Sequence, residues 1–162
     1  MVEPKVIKRV FLQVVFITCI VDSLSKYAAW CWLKDQPPLV FGFVELTFTL
    51  NRGNLFGVLI GNPELGLLTK VLMYVFIGWF AKLMVREFSD LRTGVFYAGL
   101  IVGGAVGNVA DTMIYAGTPD MIHLLHCGPL SNWVFNIADI ALFVGVGRFI
   151  WECVRKRRST QQ

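Results

Sequence analysis

Asp22, Asp111 and Asp139 each fall inside or at the edge of a long apolar run. A charged side chain at the centre of a membrane helix costs about 2.5–3.5 kcal/mol on insertion scales, so acids in such places call for a reason. Two of them repeat a pattern, Asn108-Val109-Ala110-Asp111 and Asn136-Ile137-Ala138-Asp139. Residues three apart share a helix face. An amide beside a carboxylate can hold an extended peptide, the amide offering donor and acceptor while the acid moves a proton. Hydrogen bonds that merely tie helices together would use the same residue types. Asp120 stands nine residues after Asp111 at the polar end of a short loop and can join the same layer.

Other polar residues carry weaker signals. Asp22 and Lys26, at i and i+4, suit an intrahelical ion pair that lowers the cost of both charges. Asn51-Arg52-Gly53-Asn54-Leu55-Phe56 joins polar side chains to a glycine and an aromatic, which suits contact with lipid or a substrate backbone. His123, His126 and Cys127 offer three ligand types, but the spacing is not that of a helical metalloprotease, so no metal is expected. The four cysteines, at 19, 31, 127 and 153, form no C-x-x-C and imply neither a disulfide framework nor a thiolate site. No G-x-S-x-G, P-loop or dinucleotide fingerprint is present.

The elements that must position these residues belong to a membrane. Of 162 residues, 56% are hydrophobic and 16% charged, with a mean hydropathy of +0.62. Soluble domains are roughly 45–50% apolar and about 25% charged, so the composition excludes a disordered or fibrous chain and argues against a water-soluble enzyme. The net charge of +4 comes from short scattered clusters that build no face for nucleic acid. The pattern predicts a single membrane domain, 1–162, all-α, with four transmembrane helices over about 10–33, 65–85, 93–114 and 133–154. The first is too long for a signal-peptide core, and no cleavage site follows it.

Lys5, Lys8 and Arg9, then Lys82, Arg86 and Arg92, then Arg155 to Arg158 fall on one side of these spans, which places both termini in the cytoplasm. The loops over about 34–64 and 115–132 are then extracytoplasmic. Val40 to Leu50 reads as a small strand or hairpin at the membrane surface, and the second segment as a short Gly, Pro and Asp loop. At about 1.5 Å per residue, the three acids lie roughly 20–28 Å from the basic helix ends, in one layer near the outer interface. Gly99, Gly103 and Gly107 make a small-residue stripe that lets another helix approach closely. Arg148 and Glu152, one turn apart, can pair.

In their order, Val21-Asp22-Ser23-Leu24-Ser25-Lys26-Tyr27, Asn51-x-Gly53-x-x-Phe56, Gly103 to Asp111, Asp120 and Phe135-Asn136-Ile137-Ala138-Asp139 resemble the bacterial lipoprotein signal peptidases, the type II signal peptidases. The resemblance runs from the first span to the last. It implies a four-helix aspartyl protease of the bacterial inner membrane that removes the signal peptide of prolipoproteins before the lipid-modified cysteine. Its partners would be diacylglyceryl-modified prolipoproteins and membrane lipids, with no cofactor and a monomeric state. Carried over by position, Asp120 and Asp139 are the catalytic acids. Asp111 is a supporting acid near the substrate, and Asn51, Gly53, Phe56, Asn108 and Asn136 are substrate-contacting positions. Asp22 and Lys26 match the polar pair of the first span. Two positions depart from the family: Thr112 stands where it usually has Arg, and His123 where it usually has Asp, which suggests a changed charge beside the catalytic pair. The rival readings are a small proton-coupled transporter or channel subunit, and a family member that binds prolipoproteins without cutting them.

Overall fold

The structure is a computed structural model that describes residues 3–52, 63–88 and 90–160. Four long helices, α1 (Pro4–Trp32), α2 (Pro63–Glu87), α3 (Leu91–Tyr115) and α4 (Ile137–Thr160), carry one small antiparallel sheet. The helices run past the apolar spans because their basic ends continue the same turns; α1 already starts at Pro4, where a missing N–H costs nothing. Among the described residues only α3 is clearly long and apolar enough to cross a membrane by itself.

α3 packs against each of the other three helices. Its glycine stripe makes this possible. A Cβ on Gly99 would lie 2.9 Å from the Val14 side chain, and one on Gly103 would lie 2.8 Å from Thr18, so α1 rests on the stripe itself. A Cβ on Gly104 would meet the Ala138 carbonyl oxygen at 2.6 Å, which brings the first turn of α4 against the neighbouring face. At the other end of the bundle Met84, Phe88 and Ile101 form a buried cluster. Glu152 is also buried there, paired with Arg148 at 2.9 Å and with Arg155 at 2.5 Å.

The strands are β1 (Leu39–Phe41), β2 (Val44–Asn51), β3 (Thr118–Leu124) and β4 (Val134–Phe135), in spatial order β1-β2-β3-β4. β1 and β2 form the hairpin expected from the first loop, turning through Gly42 at a φ of +63°. The second loop is more than a turn. It supplies β3, which pairs with β2 in the middle of the sheet, then a short 3-10 segment (Gly128–Asn132) and β4. α4 therefore begins at Ile137 and not at Trp133, because Val134 and Phe135 are extended against β3.

Candidate active site

Asn136 immediately precedes α4, and the first turn of a helix leaves backbone N–H groups without intrahelical partners. The Asn136 side-chain oxygen accepts the N–H of Asp139 at 2.9 Å, while the Asp139 carboxylate accepts the N–H of Asn136 at 3.1 Å. This is a reciprocal capping box with Asp in the place of the usual Glu or Gln. A third orphan, the N–H of Ala138, donates to Asp22 Oδ1 on α1 at 2.8 Å. The two N-x-A-D segments therefore differ in kind: the first lies within α3, whereas the second is the start of α4 itself.

The cap also connects the acids. Asn136 Nδ2 donates to Asp120 Oδ1 at 2.6 Å, so one asparagine holds Asp120 by its amide and Asp139 by its backbone N–H. β3 delivers Asp120 to this point, and the Asn51 side chain, at the end of β2, hydrogen-bonds the same carboxyl. Asp120 and Asn136 are buried, while Asp139 is only partly covered. Burial pushes the Asp120 carboxyl up to about 7, and the charge of Asp139 adds to that shift against the hydrogen bonds from Asn136 and Asn51.

Behind this pair lies a second charged layer. Lys26 Nζ donates to Asp22 Oδ2 at 2.6 Å, to Asn108 Oδ1 at 2.8 Å and to Asp111 Oδ2 at 2.5 Å. Its reach goes well beyond the intrahelical pair expected from the i, i+4 spacing. Asn108 then passes its amide to Asp139 Oδ1 at 3.1 Å. Asp22 and Lys26 are 0% and 1% exposed, so breaking this cluster by deleting one charge would strand another without solvent. A Cβ on Gly107 would sit 2.7 Å from Asp22 Oδ2; the glycine is what lets the carboxylate lie against α3.

The structure thus brings together Asp22, Lys26, Asn51, Asn108, Asp111, Asp120, Asn136 and Asp139. Gly53 and Phe56 lie outside the described residues. Thr112 turns its hydroxyl to the Asn108 carbonyl oxygen at 3.0 Å. The changed charge expected at His123 is engaged elsewhere. The ring binds Glu45 Oε1 through Nδ1 and the Ser131 carbonyl through Nε2, both at 2.8 Å, and three residues along β3 its side chain takes the opposite face from Asp120. Glu45 and Ser131 had no sequence signal, because only the β2–β3 register sets Glu45 opposite His123.

The four helices and small sheet share their fold with a solved structure described as a bacterial membrane enzyme, which matches with a TM-score of 0.66 at 20% identity, over 94% of this chain and 91% of that one. The family model for signal peptidase II matches residues 14–155, and the chain belongs to that family. Similar curated proteins include the lipoprotein signal peptidase of Methylobacterium sp. (strain 4-46), 38% identical over 74% of this chain and 71% of that protein. That of Methylorubrum extorquens (strain PA1) is 36% identical over 85% of this chain and 81% of its own length. This membership disfavours the transporter reading.

Proposed function

We propose that this chain, as a member of the signal peptidase II family, removes the signal peptide of prolipoproteins by aspartic catalysis, with Asp120 and Asp139 as the acid pair. The observation that carries the reading is Asn136, bonded at once to Asp120 at 2.6 Å and to Asp139 at 3.1 Å. Two carboxyls tied to one asparagine, with the charge of Asp139 raising Asp120, share one proton more readily than they both ionise. Asp120, raised to about 7, is the member that holds it.

Asp139 then acts as the base. Its two oxygens accept from Asn108 and from the Asn136 backbone, which suits an ionised carboxylate, and its partial exposure leaves room for water. Asp139 takes a proton from that water as its oxygen attacks the scissile carbonyl. Asp120 donates its proton to the carbonyl oxygen, giving a gem-diol; as the C–N bond breaks, the proton on Asp139 passes to the leaving nitrogen and a gem-diol hydroxyl returns its proton to Asp120. Asp111 supports the site through Lys26. The substrate is a diacylglyceryl-modified prolipoprotein, and the enzyme acts as a monomer among membrane lipids.

The four helices span the bacterial inner membrane with both termini cytoplasmic and the acids toward the extracytoplasmic side. Their faces support this. α1 buries Thr18, Asp22, Lys26 and Ala29 but exposes Leu12, Phe16, Ile17, Ile20 and Leu24. α2 and α4 likewise expose Val75, Phe76, Trp79, Phe143 and Trp151. Apolar surface of this extent on a soluble monomer would be an aggregation site, whereas lipid covers it without cost. Incubation of the purified protein with a diacylated prolipoprotein tests the function. Loss of a mass equal to the signal peptide is expected; an intact precursor beside folded protein would contradict it.

A further inference from the structure

At the end of the bundle opposite the acids, a cleft of about 400 Å³ opens between the start of α1, the end of α2 and the start of α3. Ile7, Phe11, Val85, Leu91 and Val95 form apolar walls, and Lys8 brings a charge to it. Fourteen residues of helix separate Lys8 from Asp22, about 21 Å, so this cleft is remote from the site.

The cations around it differ from those on α4. Arg148, Arg155 and Lys156 are matched by Glu152 and Glu87. Lys5 and Arg9, beside Lys8 on α1, Arg86 next to Val85, and Arg92 next to Leu91 are all exposed, and none of these, nor Lys8, forms an ion pair among the described residues. The nearest acid on α3, Asp90, is occupied in capping the helix through the N–H groups of Arg92 and Thr93. An apolar slot with Lys8 in its wall, and further unmatched cations next to its lining residues along the three helices, complements a ligand that is hydrocarbon below and anionic above. The outward surface next to it, with Val6 and Leu12 exposed, is itself apolar.

We propose that this cleft binds one anionic phospholipid, an acyl chain lying along the apolar walls and the phosphate between Lys8 and the neighbouring arginines. The proposal rests on the membrane reading of the bundle but not on the catalytic assignment. Each Lys or Arg near an anionic lipid surface contributes enough attraction for roughly a fivefold change in affinity.

Native mass spectrometry of the full-length protein in detergent tests it, with phosphatidylglycerol and phosphatidylcholine of identical chains as probes. One phosphatidylglycerol is expected to remain bound at concentrations where phosphatidylcholine does not. Lys8→Gln should weaken its retention roughly fivefold, and Ile7→Trp, which fills the slot, should abolish it, while prolipoprotein cleavage in detergent persists in both. Equal retention of the two lipids, or undiminished phosphatidylglycerol binding in Lys8→Gln, would overturn the proposal. Should Ile7→Trp not fold, the exposed Lys8 variant decides alone.

Discussion

The carboxylate of Asp22 on α1 caps the backbone of α4, accepting the Ala138 N–H at 2.8 Å while its other oxygen binds Lys26 at 2.6 Å. One side chain thus joins the first and last helices and fixes the turn that carries Asp139. Asp22→Asn can still accept from Ala138 but leaves Lys26 with one fewer anion. Asp22→Ala loses both contacts and should cost about 3–5 kcal/mol, the range for breaking a buried ion pair. Thermal unfolding in micelles should rank wild type above Asp22→Asn above Asp22→Ala. Equal melting of the two variants would mean that the cap does not hold α4.

Gly104 brings α3 against that same turn. A methyl group there would lie 2.6 Å from the Ala138 carbonyl oxygen, which is backbone and cannot swing aside. Gly104→Ala should destabilise by about 1–3 kcal/mol, as overpacking does, and should reduce cleavage further by displacing Asp139. Gly147, where an added Cβ would meet nothing within 4 Å, is the control: Gly147→Ala should lower neither stability nor cleavage. A Gly104→Ala protein of full stability and activity would refute the close packing.

Asp120 gives activity and stability a common pH dependence. Its folded value of about 7 lies above the ordinary aspartate value of 3.8, so between these limits the folded protein binds more protons than the unfolded chain. Stability from this group is complete below about pH 4 and declines as pH rises through 7. In the proposed mechanism the same deprotonation removes the general acid. Cleavage should therefore fall on the alkaline side with a midpoint near pH 7, and Asp120→Asn should flatten the melting-temperature decline over that window. Activity level to pH 9 would contradict the assignment of Asp120 as the proton-bearing member.

His123 makes the opposite kind of claim, a structural role without catalysis. Its two partners, a carboxylate and a carbonyl, only accept, so the ring must donate from both nitrogens. The Ser131 carbonyl, then Glu45, raise its pKa from the ordinary 6.5. A raised histidine stabilises below its unfolded value and loses that contribution as pH climbs through the folded one. The melting-temperature gap between wild type and His123→Gln should be widest at pH 5.5 and shrink by pH 9. Chelators should leave cleavage intact, since both ring nitrogens are engaged. Loss on chelation that zinc restores would point to a metalloenzyme.

Much of the site was legible because acids in apolar helices are costly wherever they occur. The common depth of Asp22, Asp111 and Asp139 followed from helical rise, and the glycine stripe marked a face open to close helix approach, though not that α1 would take it. The pairing of Arg148 with Glu152 followed from their spacing. β3 was not legible: Thr118–Leu124 has no alternating pattern, and its strand exists through pairing with β2 some seventy residues earlier. The role of Asn136 was half visible. An Asn three residues before an acid and an apolar run is a helix-start signature, yet its second bond, to Asp120, depends on where the sheet brings β3. The three-way bond of Lys26 likewise needs α3 in place.

In the proposed mechanism Asp120 and Asp139 act as one unit. Asparagine keeps the shape and hydrogen-bonding capacity of aspartate but cannot cycle a proton. The direct measurement is the cleavage rate of a diacylated prolipoprotein by Asp120→Asn, Asp139→Asn, the double variant and Asp111→Asn, each verified as folded by its melting profile. Each member of the pair should lose nearly all activity and the double variant little more, because residues serving one step are far from additive. Asp111→Asn, which keeps a contact to Lys26, should retain some cleavage or lose it together with stability. A stable Asp120→Asn enzyme with near-normal turnover, beside an inactive but equally stable Asp111→Asn, would contradict the account.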